Sequence, residues 1–360
     1  MGTRGIPAAY GGFETFAEEL GTRLVGRGHR VSVYCRLLPG RRRGEKFFRG
    51  VRLLWTPTLH HKYLETPLHG LTSFVDALFR RFDAALVCNA ANSPFVWILR
   101  LRGIPVVVNV DGVERQRAKW NLLGRLWYRL GEVCSVLFAS RIVADAQVIA
   151  DYYRAEYSAG AAVIAYGAEA REVSSCETLS RFGLKPARYL LYVSRLEPEN
   201  NALGVIEAYR RVKTDMPLVL VGDAPFADGY INKLKEAADE RVIFTGYQFG
   251  EGYRELRAGC YLYVQASEVG GTHPALVEAM AYGNCVLANC VPEHEEVLGQ
   301  AGFYYPRNDF EKLTELMQEL VLDPARVREA GSLARARAAQ LYRWDGVVDS
   351  YEALISDLLK

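Results

Sequence analysis

Short runs rich in Val, Ile, Leu and Tyr alternate with longer amphipathic segments along almost the whole chain, and this alternation constrains the fold most. Strands that recur only after an intervening helix pair in parallel, which predicts an α/β protein. The runs form two series: 30–35, 84–88, 106–110, 141–144 and 163–165, then 189–193, 218–221, 242–244, 261–265 and 285–288. The polar stretch 166–188, with Gly167, Gly183 and Pro186, reads as the linker between them. With 360 residues, two domains are expected. Their predicted bounds are 1–168 and 169–345, with 346–360 a C-terminal helix packing back toward the first domain. At 50% hydrophobic and 24% charged residues, the chain belongs to neither the disordered nor the fibrous class. Asn89, Asn92, Ser93 and Pro94 break the longest uncharged stretch, 84–99, short of the ~20 apolar residues a membrane span needs. The opening Met-Gly-Thr-Arg-Gly-Ile-Pro does not read as a leader peptide. Seven scattered cysteines without a Cys-x-x-Cys read as reduced thiols of a cytoplasmic protein.

The first helix is legible because Phe13, Phe16, Leu20 and Leu24 make one apolar stripe. The glycine-rich loop 2–12 before it looks like the turn after a first strand, yet no strand precedes it. Two further glycine loops follow strands: Gly222-Asp-Ala-Pro225, and Gly270-Gly271-Thr272-His273-Pro274, which opens a helix over 275–282. Carboxyl ends of parallel strands are where open α/β sheets bind ligands, and glycines there let the backbone approach a phosphate. Neither the Gly-x-Gly-x-x-Gly nor the Walker lysine pattern occurs, and each loop taken singly is an ordinary turn. Glu278 makes the third loop more specific. It lies one turn into the helix, where a carboxylate can accept both hydroxyls of a ribose while the Gly270 and Gly271 amides hold phosphates. Its neighbours are otherwise apolar, so the charge needs a partner.

The stretch Gly270–Gly283 resembles the nucleotide-sugar signature of GT-B glycosyltransferases of family 4. Gly2-Thr-Arg-Gly-Ile-Pro-Ala-Ala-Tyr-Gly-Gly-Phe-Glu-Thr15 is similar to the N-terminal motif of one branch, which includes bacterial rhamnosyltransferases of cell-wall and capsule assembly. Val193-Ser-Arg-Leu-Glu-Pro-Glu-Asn-Asn201, Asn109-Val-Asp-Gly-Val-Glu114 and Lys62-Tyr-Leu-Glu-Thr66 match that branch too. The resemblance implies two facing Rossmann-like domains with parallel sheets, the second binding a nucleotide sugar and the first an acceptor. It implies Arg195 as the cation on the leaving diphosphate, Glu278 on the ribose, and Gly11 and Gly12 beside the diphosphate or sugar. Asp111 stands where many relatives carry an active-site histidine. Gly222, Gly270, Gly271, Thr272 and His273 complete the expected donor site.

Two departures stand out. The glutamate that usually lies eight residues before Glu278 is Gly270 here, with Glu268 out of register. Asn200 stands where the lysine five residues after the diphosphate arginine usually lies, and is expected on the donor in its place. Both changes make Glu199 a candidate acid or positioning group; its alternative is a solvated loop glutamate. No Asp-x-Asp occurs, and the histidines lack ligand spacing, the pair His60-His61 reading as surface loop. The expected reaction therefore uses no cofactor and no metal, Arg195, backbone amides and a helix dipole neutralising the diphosphate.

Residues 1–170 carry 23 Lys and Arg against 14 Asp and Glu, a net of +9, and the remainder 21 against 28, a net of −7. Arg41, Arg42, Arg43, Lys46, Arg49 and Arg52 surround Phe47-Phe48. A helix over 119–137 aligns Trp120, Leu123, Leu126, Trp127, Leu130, Val133 and Leu137 beside Lys119, Arg125 and Arg129. By itself that stripe reads as core-facing; with the basic loop it fits an anionic membrane surface. A polyprenyl-diphosphate-linked saccharide acceptor would suit this basic half, and nucleic acid is not expected, since no binding motif appears. The implied function is a retaining transferase, rhamnose from dTDP-rhamnose being the branch's sugar, peripheral on the inner face of the plasma membrane. The rivals are a catalytically weak subunit of a heteromeric transferase and a sugar-nucleotide epimerase.

Overall fold

A computed structural model describes every residue except Arg41, Arg42, Ala118 and Phe226. It divides the chain into two units, Met1–Tyr166 with Trp344–Lys360, and Gly167–Arg343. The C-terminal helix thus belongs to the first unit from Trp344, two residues before the expected 346. The expected linker is not all linker: Tyr166 is buried in the first unit, and Leu179 and Leu184 are buried in the second.

In the first unit α1 (Gly12–Gly26) leads to β1 (Ser32–Leu37), the short β2 (Phe47–Phe48), β3 (Val51–Pro57) and α2 (Glu65–Leu78). Then come β4 (Ala85–Cys88), α3 (Val96–Arg100), β5 (Val106–Asn109), α4 (Leu122–Phe138), β6 (Arg141–Ala144), α5 (Gln147–Tyr157) and β7 (Ala162–Val163). The strands form two sheets, β1-β3-β2 and β4-β5-β6-β7, parallel except for β2. Residues 1–4 join them. The Cys88 amide of β4 donates to the Met1 carbonyl (2.9 Å), and the Arg36 amide of β1 donates to the Arg4 carbonyl (3.0 Å). Loop 2–12 therefore leaves from the seam between the sheets.

The second unit runs α6 (Glu177–Arg181), β8 (Leu190–Val193), α7 (Ala202–Arg210), β9 (Leu218–Val221), α8 (Asp228–Ala237), β10 (Val242–Gly246) and α9 (Gly250–Ala258). It continues with β11 (Leu262–Gln265), α10 (Pro274–Ala281), β12 (Cys285–Asn289), α11 (Pro292–Leu298), β13 (Phe303–Tyr305), α12 (Phe310–Leu322) and α13 (Pro324–Leu341), and α14 (Trp344–Leu358) returns to the first unit. Its single sheet has the order β10-β9-β8-β11-β12-β13, all parallel. Both faces are covered, so β9 and β11 are buried throughout; β9 reads as a continuous apolar run, and β11 ends on the buried Gln265. The order reverses between β8 and β11, and their carboxyl ends frame the crevice where such sheets bind ligands.

Candidate active site

The loop after β8 carries Arg195, Glu199 and Asn200. Its shape comes from polar groups turned inward. Asn200 is buried, and its Nδ2 donates to the Arg195 carbonyl (2.7 Å). The Ser194 hydroxyl donates to the same oxygen (2.6 Å), and the Tyr192 hydroxyl to the Asn200 carbonyl (2.6 Å). The Asn200 amide group expected on the donor thus braces the loop that presents Arg195. Arg195 lies 3.8 Å from Glu197 and stays partly exposed. Glu199 is buried, so it is not a solvated loop glutamate. Beside this loop, Gly222 has φ +137°, and a Cβ there would sit 1.8 Å from the Ser194 carbonyl oxygen, so only glycine fits.

The loop after β11 lies against it. The Glu268 amide donates to the Glu199 carbonyl (3.0 Å), joining the two strand ends at the reversal point. Gly270, Gly271 and Thr272 are buried, and His273 precedes α10, which starts on Pro274. The His273 ring covers Gly270 so closely that a Cβ there would be 2.4 Å from it. Behind it stands His294, wholly buried, its ring 4.8 Å from that of His273. The His294 Nδ1 is 2.8 Å from the Asn289 carbonyl oxygen. Burial holds its pKa down at about 4, so the ring is neutral at pH 7.

Glu278, one turn into α10, has the partner its apolar surroundings demand: the guanidinium of Arg257, itself only 3% exposed. Arg257 lies on α9, stacks 3.8 Å over the Tyr253 ring, and comes from an element remote in sequence. Sequence reasoning missed it; the lone charge in the helix was the only signal. A second missed group is an asparagine cluster. The Asn201 Nδ2 lies within 3.0 Å of both the Glu268 carboxylate and the Asn308 Oδ1, and the Asn289 Nδ2 donates to Asn308 (3.0 Å). It ties the ends of β8, β11, β12 and β13 together.

In the first unit Asp111 follows β5 with φ +56°, a left-handed conformation that aspartate tolerates and that clusters at functional sites. Its amide donates to the Asn109 Oδ1 (3.1 Å), and the buried Tyr166 hydroxyl donates to its Oδ1 (3.3 Å). Asn109 is buried and donates in turn to the Tyr351 hydroxyl of α14 (2.9 Å), so the returning helix props the Asp111 turn. Gly11 caps α1, which begins at Gly12. Glu14 occupies that first turn, accepting from the Arg4 amide (2.7 Å), and burial raises its pKa. His60 is exposed, lying 3.3 Å from Glu65, and His61 is exposed as well. Among the described residues no group of His, Cys, Asp and Glu has the arrangement of a metal site.

Two Rossmann-like units in one chain define the GT-B class, and solved structures share the arrangement. Sucrose-phosphate synthase of Thermosynechococcus elongatus superposes with a TM-score of 0.80 at 18% identity, covering 98% of this chain and 96% of that one. The Anabaena HepE protein in complex with UDP-glucose gives 0.77 at 17% identity, covering 98% of each chain. A family model for Glycosyltransferase Family 4 matches residues 10–168, and one for Glycosyl transferases group 1 matches 187–323. Glycosyltransferase models thus match both halves of the chain, which is a glycosyltransferase similar to those of family 4. It is 27% identical over 188 residues to the O-antigen chain mannosyltransferase B of Escherichia coli, 49% of each chain. A Campylobacter jejuni N-acetylgalactosaminyltransferase acting on a diphospho-undecaprenol-linked saccharide is 30% identical over 109 residues, 30% of this chain and 28% of that one. The chain spans about half the length of the first of these relatives, and less of the second.

Proposed function

We propose that the chain is a retaining, metal-independent glycosyltransferase that moves a sugar from a nucleotide sugar to a lipid-linked saccharide at the inner face of the plasma membrane. The observation that carries this reading is the pairing of the Arg195 loop with the Gly270–His273 loop at the reversal point of the second sheet, with Glu278 one turn away. Arg195 and the loop amides take the diphosphate, and Glu278, held by Arg257, takes the ribose. Glu199 is a positioning group beneath the phosphates. The bond from sugar C1 to the diphosphate oxygen breaks with its electron pair leaving on phosphate. The acceptor oxygen bonds to C1 on the same face, and its proton passes to the departing oxygen. Asp111 accepts a hydrogen bond from the acceptor hydroxyl and orients it. Two relatives support the substrates: one complexed with UDP-glucose, and one whose name gives an undecaprenol-linked acceptor. Rhamnose from dTDP-rhamnose is our choice of sugar because of the motif at Gly2–Thr15.

The purified chain is given dTDP-rhamnose, UDP-glucose or GDP-mannose, a polyprenyl-diphosphate disaccharide, and excess EDTA. Transfer from dTDP-rhamnose with the anomeric configuration kept is the expected product by NMR. No transfer from any donor would leave a subunit role, and isomerised donor without acceptor would make the chain an epimerase. Loss with EDTA and rescue by magnesium would overturn the metal-independent chemistry.

A further inference from the structure

Helix α4 does not turn its leucines inward. Leu122, Leu126, Leu130, Val133 and Leu137 run at spacings of four, four, three and four residues, one stripe along ~22 Å of helix. Leu122 is 72% exposed, Leu126 56%, Leu130 47% and Leu137 67%, and the adjoining Leu123 is 73% exposed. The core-facing side is instead Gly124, Tyr128, Gly131, Glu132, Cys134 and Ser135. That side is seated by the Ser135 hydroxyl on Ser93 (2.7 Å) and the Trp127 Nε1 on the Ala91 carbonyl (3.1 Å). Helix α3 packs on α4 and leaves Trp97 and Leu101 exposed nearby. Single exposed leucines are ordinary, but a contiguous row marks a surface with an apolar counterpart.

Charge says what the counterpart is. A cavity of 440 Å³ beside the stripe is lined by Arg115, Gln116, Arg125, Leu126 and Arg129. Facing these guanidinium groups are Glu132, 3.3 Å from Arg115, and Glu156, 2.6 Å from Arg129. Tyr152 also bonds to Arg115 (2.8 Å). Three cations against two carboxylates leave the cavity positive. A symmetric pairing of this face with a second copy would set like cavities against each other. A surface of apolar chains beneath anionic phosphates matches both features.

We propose that α4 lies in the headgroup boundary of an anionic phospholipid bilayer, its leucines inserted and Arg125, with Arg115 and Arg129, on lipid phosphates. This rests on the lipid-linked acceptor reading and names the partner of the first unit. Arg115 follows Asp111 by four residues, so the membrane face and the acceptor-orienting turn share the loop after β5. The basic loop then attracts at a distance while α4 inserts.

The test uses the full chain and vesicles of equal phosphatidylglycerol and phosphatidylcholine. Wild type should sediment with them in 50 mM salt and keep part of its binding at 500 mM, where screening leaves little charge attraction. The variant L122S/L126S/L130S should bind at least tenfold more weakly at both salt levels, with nucleotide binding unchanged by thermal shift. R43Q/K46Q/R49Q should weaken binding only at low salt. R125Q should narrow the preference for anionic over neutral vesicles. Brominated phospholipid should quench tryptophan fluorescence of the unaltered protein, which tests insertion without a variant. Wild-type vesicle binding by the leucine variant, or no quenching, would overturn the proposal. So would a wild-type dimer that the leucine variant makes monomeric. If nucleotide binding and soluble-acceptor transfer persist while vesicle binding is absent, only this proposal falls; the converse outcome removes the transferase reading alone.

Discussion

Arg195 and Glu278 differ in what their removal leaves behind. Arg195 is partly exposed, and its loop is held through its own carbonyl by Asn200 and Ser194, so Arg195→Ala leaves the loop standing. The loss of one charge-assisted bond, roughly 1.5–3 kcal/mol, predicts a 10- to 150-fold weaker nucleotide complex by calorimetry. Glu278→Ala is a different experiment because it strands the buried Arg257 guanidinium. Breaking such a pair costs about 3–5 kcal/mol, which urea unfolding should show. Glu278→Gln keeps a hydrogen-bonding partner there and should lose nucleotide affinity with a smaller stability change. For Asp111, Asp111→Asn keeps the shape and the turn, so donor affinity should hold while turnover drops by about 100-fold. Unchanged turnover would give Asp111 a structural role only.

At the scale of elements, α14 carries more than its position at the end of the chain suggests. Trp344, Val347, Val348 and Tyr351 are buried in the first unit, and the Tyr351 ring is 5.3 Å from that of Phe16 on α1. Fully burying such side chains contributes about 1.5–3 kcal/mol each, comparable in sum to the ~5–15 kcal/mol by which a whole domain is stable. Removing residues 344–360 should therefore unfold the first unit while the second keeps its transition, as read by limited proteolysis. Tyr351→Phe is the milder test. It removes the bond to Asn109, should cost ~1 kcal/mol, and should lower turnover through the Asp111 turn. The apolar periodicity of α4 was legible, but its direction was not. A stripe pattern is the same whether it meets a core or a lipid, and the seat of α4 is made by small and polar residues that carry no apolar signal.

Across the whole molecule, two buried histidines set the acid limit. Burial holds His69 at about 3 in the first unit and His294 at about 4 in the second. Unfolded histidine titrates near 6.5, so below that pH the unfolded chain binds protons that the folded chain refuses. The stability these rings contribute is full above ~6.5 and falls with acid toward the folded values, by up to ~1.4 kcal/mol per pH unit for each. Urea midpoints should drop between pH 6.5 and 4, and His294→Gln should remove about one proton from that slope. The charge asymmetry also holds by unit. The first unit has 24 Lys and Arg against 17 Asp and Glu, a net of +7, and the second 20 against 25, a net of −5.

Periodicity and turn residues were enough to declare two α/β halves, because parallel strands buried on both faces must be apolar runs separated by helices. They also located the loops of the candidate site, since ligands bind where such strands end. The strands β2, β3 and β13 escaped: β2 and β13 have only two and three residues, and in the seven-residue β3 the polar Arg52 and Thr56 interrupt the apolar run. Partnership was decided by tertiary structure alone. Nothing local in the chain joins Glu278 to Arg257, Asp111 to Tyr166, or Asn109 to the helix that returns from the C-terminus. Local pattern tells which groups need a partner; only packing of distant elements brings one within hydrogen-bond reach.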